Sequence, residues 1–374
     1  MGTLLRSLTP RVSAVTFDVG RSGVRAAQVA ARGRNRIAAE TLRVELPAAA
    51  IRSTDPNPPP DPQRLARMLE QGRFRGEAIG LVLSPPDVHY HALRLPDAAL
   101  RQPPERVHQA LAWEVARETR TEPGELEVRY WLLPEGHRGD VNVMAVAVRS
   151  AQANELARNA AGCGLRLKAL TVSAPALVQS AGLLFEPEAN DLWGILDLGM
   201  HRTQIIAVVG QTPVYVRSVA VSGDEWPRRL AEGFEASYAE AERIKRDYGI
   251  SAESRLEPKP GRDEPLVLEE GVAAICHRLL QDSLQKLLRE LNVCLSYVLQ
   301  YYPRATPTRL ILAGGGAELR GLDEYIETVS GVRTMVLRGA ACERPGRGVG
   351  GVYADLTPGN AVAIGAGLLE LEKR

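Results

Sequence analysis

The sequence predicts an α/β protein of two lobes, each built on one copy of a strand–Asp-x-Gly–turn–strand–strand unit, with a smaller strand–helix–strand–strand subdomain inserted into the first. Three observations predict it. The unit opening the chain, VSAVTFDVGRSGVRAAQVAARGRNRIAAETLRVELP (12–47), recurs in pattern as GILDLGMHRTQIIAVVGQTPVYVRSVAVSG (194–223). A strand–glycine cluster–helix pattern, TRLILAGGG followed by LRGLDEYIETVSG, comes late in the chain. Residues 94–168, between the two copies, carry an independent hydrophobic pattern.

In order, the first copy reads as strand VSAVTFDV, a glycine-containing turn, strand VRAAQVAA, a basic turn RGRNR and strand IAAETLRVEL. The run TDPNPPPDP (54–62) is too rich in proline for helix or central strand. Helix PQRLARMLEQG and apolar strand AIGLVLS follow. The inserted segment reads as strand VHYHALRLP, overlapping its start, helix PPERVHQALAWEVARET, strands LEVRYWLLPE and DVNVMAVAV, and helix SAQANELARNAAGCG. Val107, Ala110, Leu111, Trp113, Glu114 and Ala116 recur at helical rather than alternating spacing. After the second copy come helix DEWPRRLAEGFE, helix SYAEAERIKRDYG, a Pro- and charge-rich stretch near 252–266, and a helical run from about 267 to 302. TPGNAVAIGAGLLELE ends the chain as an amphipathic helix. The resulting division is 1–93 and 169–193 for the first lobe, 94–168 for the insert, 194–356 for the second lobe and 357–374 for a closing connector helix.

Composition excludes several function classes. In 374 residues, 46 Lys+Arg against 45 Asp+Glu leave a net charge of +1, so no global field draws the chain to nucleic acid or acidic lipid. Aromatic residues at 5% argue against base-stacking platforms. Cys163, Cys276, Cys294 and Cys342 are scattered without a C-x-x-C pair, and the six histidines show no metal-type spacing, which suits free thiols in a reducing compartment. No apolar run reaches the ~20 residues of a membrane span, and MGTLLRSLTPR lacks the apolar core of a secretory signal. The expectation is a soluble, cytoplasmic protein.

The chemistry-bearing residues sit in the repeated turns. Asp18-x-Gly20 and Asp197-x-Gly199 each end an apolar strand. Glycine lets backbone N–H groups approach a phosphate, and the Asp can hold a divalent cation, usually through water. One such turn is an ordinary hairpin. Two in a repeat, with Gly314-Gly315-Gly316 opening a helix whose N-terminus would face a phosphate, point to a nucleotide.

These motifs resemble the actin-like ATPase superfamily, a duplicated ribonuclease H-like fold, and within it the PilM family of type IV pilus assembly proteins, relatives of the cell-division protein FtsA. The resemblance runs over about residues 12–370: FDVGRSGVRAAQVA is similar to the first phosphate loop, GILDLGMHRTQIIAVV to the second, AERIKRDYG to the helix whose Glu and Lys face the nucleoside, and LILAGGGAELRGLDEYI to the adenosine motif. ALAWEVARET, LEVRYWLLPE and VNVMAVAV resemble the inserted subdomain of PilM, with Trp113-Glu114 at its W-E pair. The resemblance implies ATP and Mg²⁺ in an interlobe cleft. Asp18, Gly20, Arg21, Ser22, Gly199 and Thr203 would lie around the phosphates, Asp18 and Asp197 near the metal, and Glu242, Lys245, Gly314, Gly315 and Gly316 around the nucleoside. It also implies a platform on the cytoplasmic face of the inner membrane. There the chain would dock the N-terminal tail of a PilN-like membrane partner near Trp113, Glu114, Tyr130 and Trp131, and other pilus-assembly proteins are further candidate partners. Association with the membrane would be indirect.

Departures from the family pattern qualify the chemistry. Arg21 stands where the first loop usually has serine, Met200-His201-Arg202 replace small or polar residues in the second, and SAPALVQSAGLLF offers only Gln179 to orient a water. Slow or absent hydrolysis is expected, since phosphoryl transfer needs a positioned water as well as charge neutralisation. Two alternatives stay open: a nucleotide-free scaffold in a pilus-like or type II secretion-like machine, and a sugar-kinase-like phosphotransferase, for which no sugar-cleft Asp base is evident. Glu242 and Lys245 are also readable as an exposed i,i+3 ion pair, and Trp113 as a core residue of its helix.

Overall fold

A computed structural model describes residues 11–20, 23–32, 36–45, 61–83, 87–136, 141–250, 264–341 and 355–372. Arg21, Ser22, Cys342, residues 54–60 of the proline run and residues 251–263 lie outside the described residues.

The first sheet contains β1 (Arg11–Val12), β2 (Val15–Gly20), β3 (Gly23–Arg32), β4 (Arg36–Glu45), β5 (Ala78–Leu83) and β9 (Arg166–Val172). β2–β3–β4 is an antiparallel meander, and β5 and then β9 add in parallel on the far side of β2. The second sheet repeats this wiring. β10 (Asp191–Leu198), β11 (Thr203–Val209) and β12 (Thr212–Val219) form the meander, and β13 (Thr306–Ala313) and β14 (Thr334–Val336) add in parallel beyond β10. The duplication read from the two Asp-x-Gly units is therefore a duplication of topology. It extends to register: Asp18 pairs with Arg25 on one side and Val82 on the other, and Asp197 pairs with Gln204 and Ala313 in the same way.

Each large sheet is covered on both faces, which is why its inner strands read as unbroken apolar runs. Between the lobes lie α5 (Ser173–Ala181) and α10 (Ala361–Glu372), packed on Ala27 and Val29 of one sheet and on Trp193, Ile195 and Ile206 of the other. The two helices approach so closely that a Cβ on Gly365 would sit 1.8 Å from the Ala176 carbonyl oxygen. On the outer face of the second sheet, Trp226 and Leu230 of α6 (Glu225–Gly233), α7 (Tyr238–Asp247) through Ala241, and Leu280, Leu284 and Leu291 of α8 (Glu264–Tyr301) build a second core. A third core on the outer face of the first sheet is formed with α1 (Pro62–Gln71) and α4 (Ser150–Gly162).

The inserted strands form a separate antiparallel sheet in the order β6 (His89–Leu93), β8 (Val143–Arg149), β7 (Leu126–Leu132). Period-two alternation gives the sheet two faces. Val143, Ala145 and Ala147 pack with Val107, Leu111 and Val115 of α3 (Pro104–Thr119), which follows the single-turn helix α2 (Asp97–Leu100). On the opposite face Val146 and Val148 enter the first-lobe core, and Met144 enters a cluster with Leu192, Val209 and Val298 of the second lobe. The small sheet thus runs from His89 to Arg149, while α4 places Leu156 and Ala160 in the first-lobe core.

One helix is shorter than its sequence pattern. LRGLDEYIETVSG does not begin as helix, because Gly321 at φ +81° breaks the right-handed path, so α9 (Leu322–Ser330) starts only after that glycine. A short 3₁₀ turn over Gly315–Glu318 carries the glycine cluster instead.

Candidate nucleotide cleft

The repeated register delivers two carboxylates to one place. Asp18 and Asp197 are both half-buried at the ends of equivalent strands, and each feels the same guanidinium, that of Arg25. Burial raises the Asp18 pKa above its usual 3.8, with Arg25 opposing. Burial, then the neighbouring Asp18 charge, raises Asp197 to about 7, again against Arg25. An acidic pair under-compensated by one cation is chemistry suited to a divalent ion.

Arg25 escapes the sequence reading although it is central to the geometry. It is 7% exposed, its Nη1 lies 4.0 Å from Asp18 Oδ2, and it is the cross-strand partner of Asp18. Its guanidinium packs beside Gly20, whose Cβ position would be 3.1 Å from Nη1, and reaches Gly359 in the loop before α10. That loop is tied to the glycine cluster, since the Gly314 N–H donates to the Pro358 carbonyl at 2.9 Å. A charged residue inside the apolar strand VRAAQV was the available signal.

On the second-lobe side three turns converge. Gly199 follows Asp197 and accepts the Gly223 N–H at 2.8 Å, while the Asp224 N–H donates to the Met200 carbonyl at 2.9 Å. Gly314 has φ +78°, and a Cβ there would meet the Leu198 carbonyl oxygen at 2.6 Å and Asp197 Oδ1 at 2.7 Å, so only glycine fits. Gly316 packs equally closely on Leu198, whereas the space beside Gly315 is open. Thr203 is turned away from this opening. It is fully buried and donates its hydroxyl to the Val221 carbonyl at 2.8 Å, which anchors the loop carrying Gly223 rather than presenting a phosphate contact.

α7 brings Glu242 and Lys245 to the same turns. A capping box between Ser237 and Glu240 starts the helix. Lys245 Nζ lies 2.9 Å from Glu242 Oε1 with only 4% of the lysine side chain exposed, so the pair is not a solvated surface bridge. Arg246 joins Glu242 at 3.7 Å to Glu318 at 3.2 Å, linking α7 to the end of the glycine turn. Asp224, absent from the sequence reading, accepts from Tyr238 Oη at 2.8 Å and Arg228 Nε at 2.5 Å, fixing α6 against α7. Gln179 is bonded to Glu372 at 3.0 Å, on the side chains joining α5 to α10.

The four residues expected at a partner surface divide. Trp113 is 61% exposed on α3, which removes the reading of it as core. Glu114 beside it pairs with Arg117 at 2.5 Å. Tyr130 faces α3, its ring 5.6 Å from that of His108. Trp131 points to the opposite face and donates Nε1–H to the Pro213 carbonyl at 2.8 Å, so it fastens the small sheet to the second lobe. Tyr130 and Trp131 are both half-buried by these contacts, and Leu132 beside them is 59% exposed. No group of three or more His, Cys, Asp or Glu side chains is poised to hold a metal among the described residues, and none of their helices is long and apolar enough to cross a membrane.

Comparison with known proteins bears on the whole arrangement. The family model described as "Cell division protein FtsA" matches residues 195–365, from within β10 into the start of α10. No curated protein matches the chain. Among solved structures, the chain is similar to a "PilM-PilN type IV pilus biogenesis complex", with 23% identity over 97% of this chain and 99% of that one and a TM-score of 0.70. It is also similar to MreB 5 of Spiroplasma citri bound to AMPPNP, with 14% identity over 97% of each chain and a TM-score of 0.50. What is shared at these identities is architecture: the chain has the actin-like ATPase fold.

Proposed function

We propose that this chain is a nucleotide-binding platform protein of a type IV pilus-like machine, holding Mg·ATP between its lobes and docking the cytoplasmic tail of a PilN-like membrane protein on its small subdomain. The observation that carries the nucleotide reading is the convergence of Asp18 and Asp197, at equivalent register positions of two repeated sheets, on one guanidinium, that of Arg25, beside the open space at Gly315. Asp18 and Asp197 would hold the cation and Arg25 a phosphate oxygen, with Gly20, Arg21, Ser22 and Gly199 as the surrounding loops. Glu242, Lys245 and the Gly314–Gly316 turn would hold the nucleoside. Bound Mg·ATP would supply the charge that pulls the two carboxylates and Arg25 into one cluster. Thr203 would act at one remove, by anchoring the 221–224 loop. The MreB neighbour was solved with AMPPNP, which supports a nucleotide in a cleft of this fold.

The partner reading rests on the PilM–PilN complex having this architecture over nearly the full chain, and on Trp113 and Leu132 standing exposed on the small subdomain. Among the described residues, Gln179 is bonded to Glu372, and Asp18 and Asp197 would be engaged by the cation, which favours a clamp over a fast hydrolase. The test is thermal unfolding with saturating Mg·ATP, followed by titration of a labelled N-terminal tail of the PilN-like protein of the same organism. Ligand binding to the folded state should raise the melting temperature, and Trp113→Ala should weaken the tail by roughly tenfold, as expected for loss of an aromatic anchor. An unchanged melting temperature at millimolar Mg·ATP would leave a scaffold without nucleotide, and tail affinity indifferent to Trp113→Ala would place the docking surface elsewhere.

A further inference from the structure

One buried polar cluster lies outside the cleft and joins all three parts of the molecule. Gln204, the cross-strand neighbour of Asp197, is 5% exposed and accepts the Ser173 hydroxyl on Oε1 at 2.8 Å. Ser173 is the first residue of α5, the helix that runs between the lobes, and is 1% exposed. The third member is Tyr90 on β6 of the small sheet, whose hydroxyl lies beside Ser173, Gln204 and the Ala174 backbone. Burial pushes its phenol up to about 12, so it is a permanent O–H donor.

Two features separate this cluster from ordinary packing. The Tyr90 ring is the side chain that packs against the interlobe core, the first-lobe core and the second-lobe contact of the small sheet alike. And although the cluster is buried, Tyr90 Oη and Gln204 Nε2 have no hydrogen-bond partner of full geometry among the described residues. Buried polar atoms are nearly always satisfied. The Tyr90 hydroxyl and the Gln204 amide are close enough to interact but not aligned for a full bond, so a small turn of the amide would make or weaken this link between the strand of Asp197 and the small sheet.

We propose that Tyr90, Ser173 and Gln204 form a relay through which the occupancy of the cleft sets how firmly the small sheet seats on the second lobe. Cross-strand pairing places Gln204 on the same sheet face as Asp197, so a ligand held at Asp197 would lie beside the strand position that carries the Gln204 amide. Tyr90 transmits the setting to β6, and its neighbour Trp131, 6.4 Å away ring to ring, carries the bond to Pro213. The nucleotide arm of this proposal rests on the cleft reading above; the coupling between the three side chains does not.

The experiment is hydrogen exchange of the strand Leu126–Leu132 in full-length protein, wild type beside Tyr90→Phe, Gln204→Leu and the double variant, each with and without Mg·ATP. Phenylalanine keeps the ring that fills the three-core junction and removes only the hydroxyl. Without nucleotide, each single variant should speed exchange of the strand, and the double variant should exchange no faster than the quicker single one, because both substitutions break one network. Effects that multiply would overturn the relay. With Mg·ATP, the wild type should change its exchange in this strand by about threefold or more while Tyr90→Phe changes little and binds the nucleotide within about twofold of wild type. A Tyr90→Phe response equal to wild type would also overturn it. If wild type binds no Mg·ATP, the cleft reading falls and the comparison without nucleotide decides the relay by itself.

Discussion

Asp197 is the residue whose ionisation the fold works hardest against. In the unfolded chain it ionises near 3.8; in the folded protein it holds its proton to about 7. The folded form therefore binds the extra proton between those values, and stability falls as pH rises through that window. Asp197→Asn should remove this penalty, flattening the pH dependence between about 4 and 7 and stabilising the apo protein at pH 8, with a ceiling of roughly 4 kcal/mol at ~1.4 kcal/mol per pKa unit. Urea unfolding at pH 5 and pH 8 measures it, and an unchanged slope would show that the carboxylate is not held in this environment. Arg25 works in the opposite direction. Arg25→Met removes the cation 4.0 Å from the half-buried Asp18 carboxylate, which should cost about 1–3 kcal/mol of stability, read in the same unfolding experiment; a loss below about 0.5 kcal/mol would match a surface pair instead. The two Asp-x-Gly turns were legible because glycine after a strand-ending Asp is a local signal. Arg25 was not, because its burial arises only when β3 pairs with β2 and the loop at Gly359 closes over it. Thr203 shows the converse: the right residue type in the right loop, committed by a long-range bond to Val221.

At the scale of elements, the helix pair α5–α10 carries the connection between lobes. Gly365 lets α10 lie on the Ala176 carbonyl, and Ser180 Oγ donates to the Ala361 carbonyl beside it. Gly365→Ala would gain about 1 kcal/mol of helix propensity. The methyl has no room, however, and overpacking of this kind costs about 1–3 kcal/mol or more, so packing wins and the variant should melt lower, as calorimetric scanning would show. A higher melting temperature would mean the helices are not in contact. The closing helix was readable as a helix but not as an amphipathic one: Ala361 through Leu368 are all buried, so it is covered on every side along this stretch, and its partner was not readable because α5 lies far away in sequence. The small sheet follows the same rule. Its strands were legible from alternation, but Tyr130 and Trp131 alternate on a sheet covered on both faces, so one packs on α3 and the other on the second lobe.

For the whole molecule, duplication explains both the fold and the site. Two sheets with the same strand wiring bring equivalent residues to one interlobe seam, and neither lobe holds both carboxylates. Because the binding surface is divided, Mg·ATP should slow amide exchange in the hairpins 15–32 and 191–209 together; protection confined to one lobe would contradict a shared site. The most direct test of the central claim is calorimetric titration of Mg·ATP into wild type, Asp18→Ala and Asp197→Ala. Micromolar binding to wild type that is weakened by roughly 100-fold in each variant is the predicted result, as for loss of a charged group that contacts the ligand. Binding that survives either substitution unchanged, or wild-type protein that takes up no nucleotide at millimolar concentration, would contradict a cleft built from both repeats.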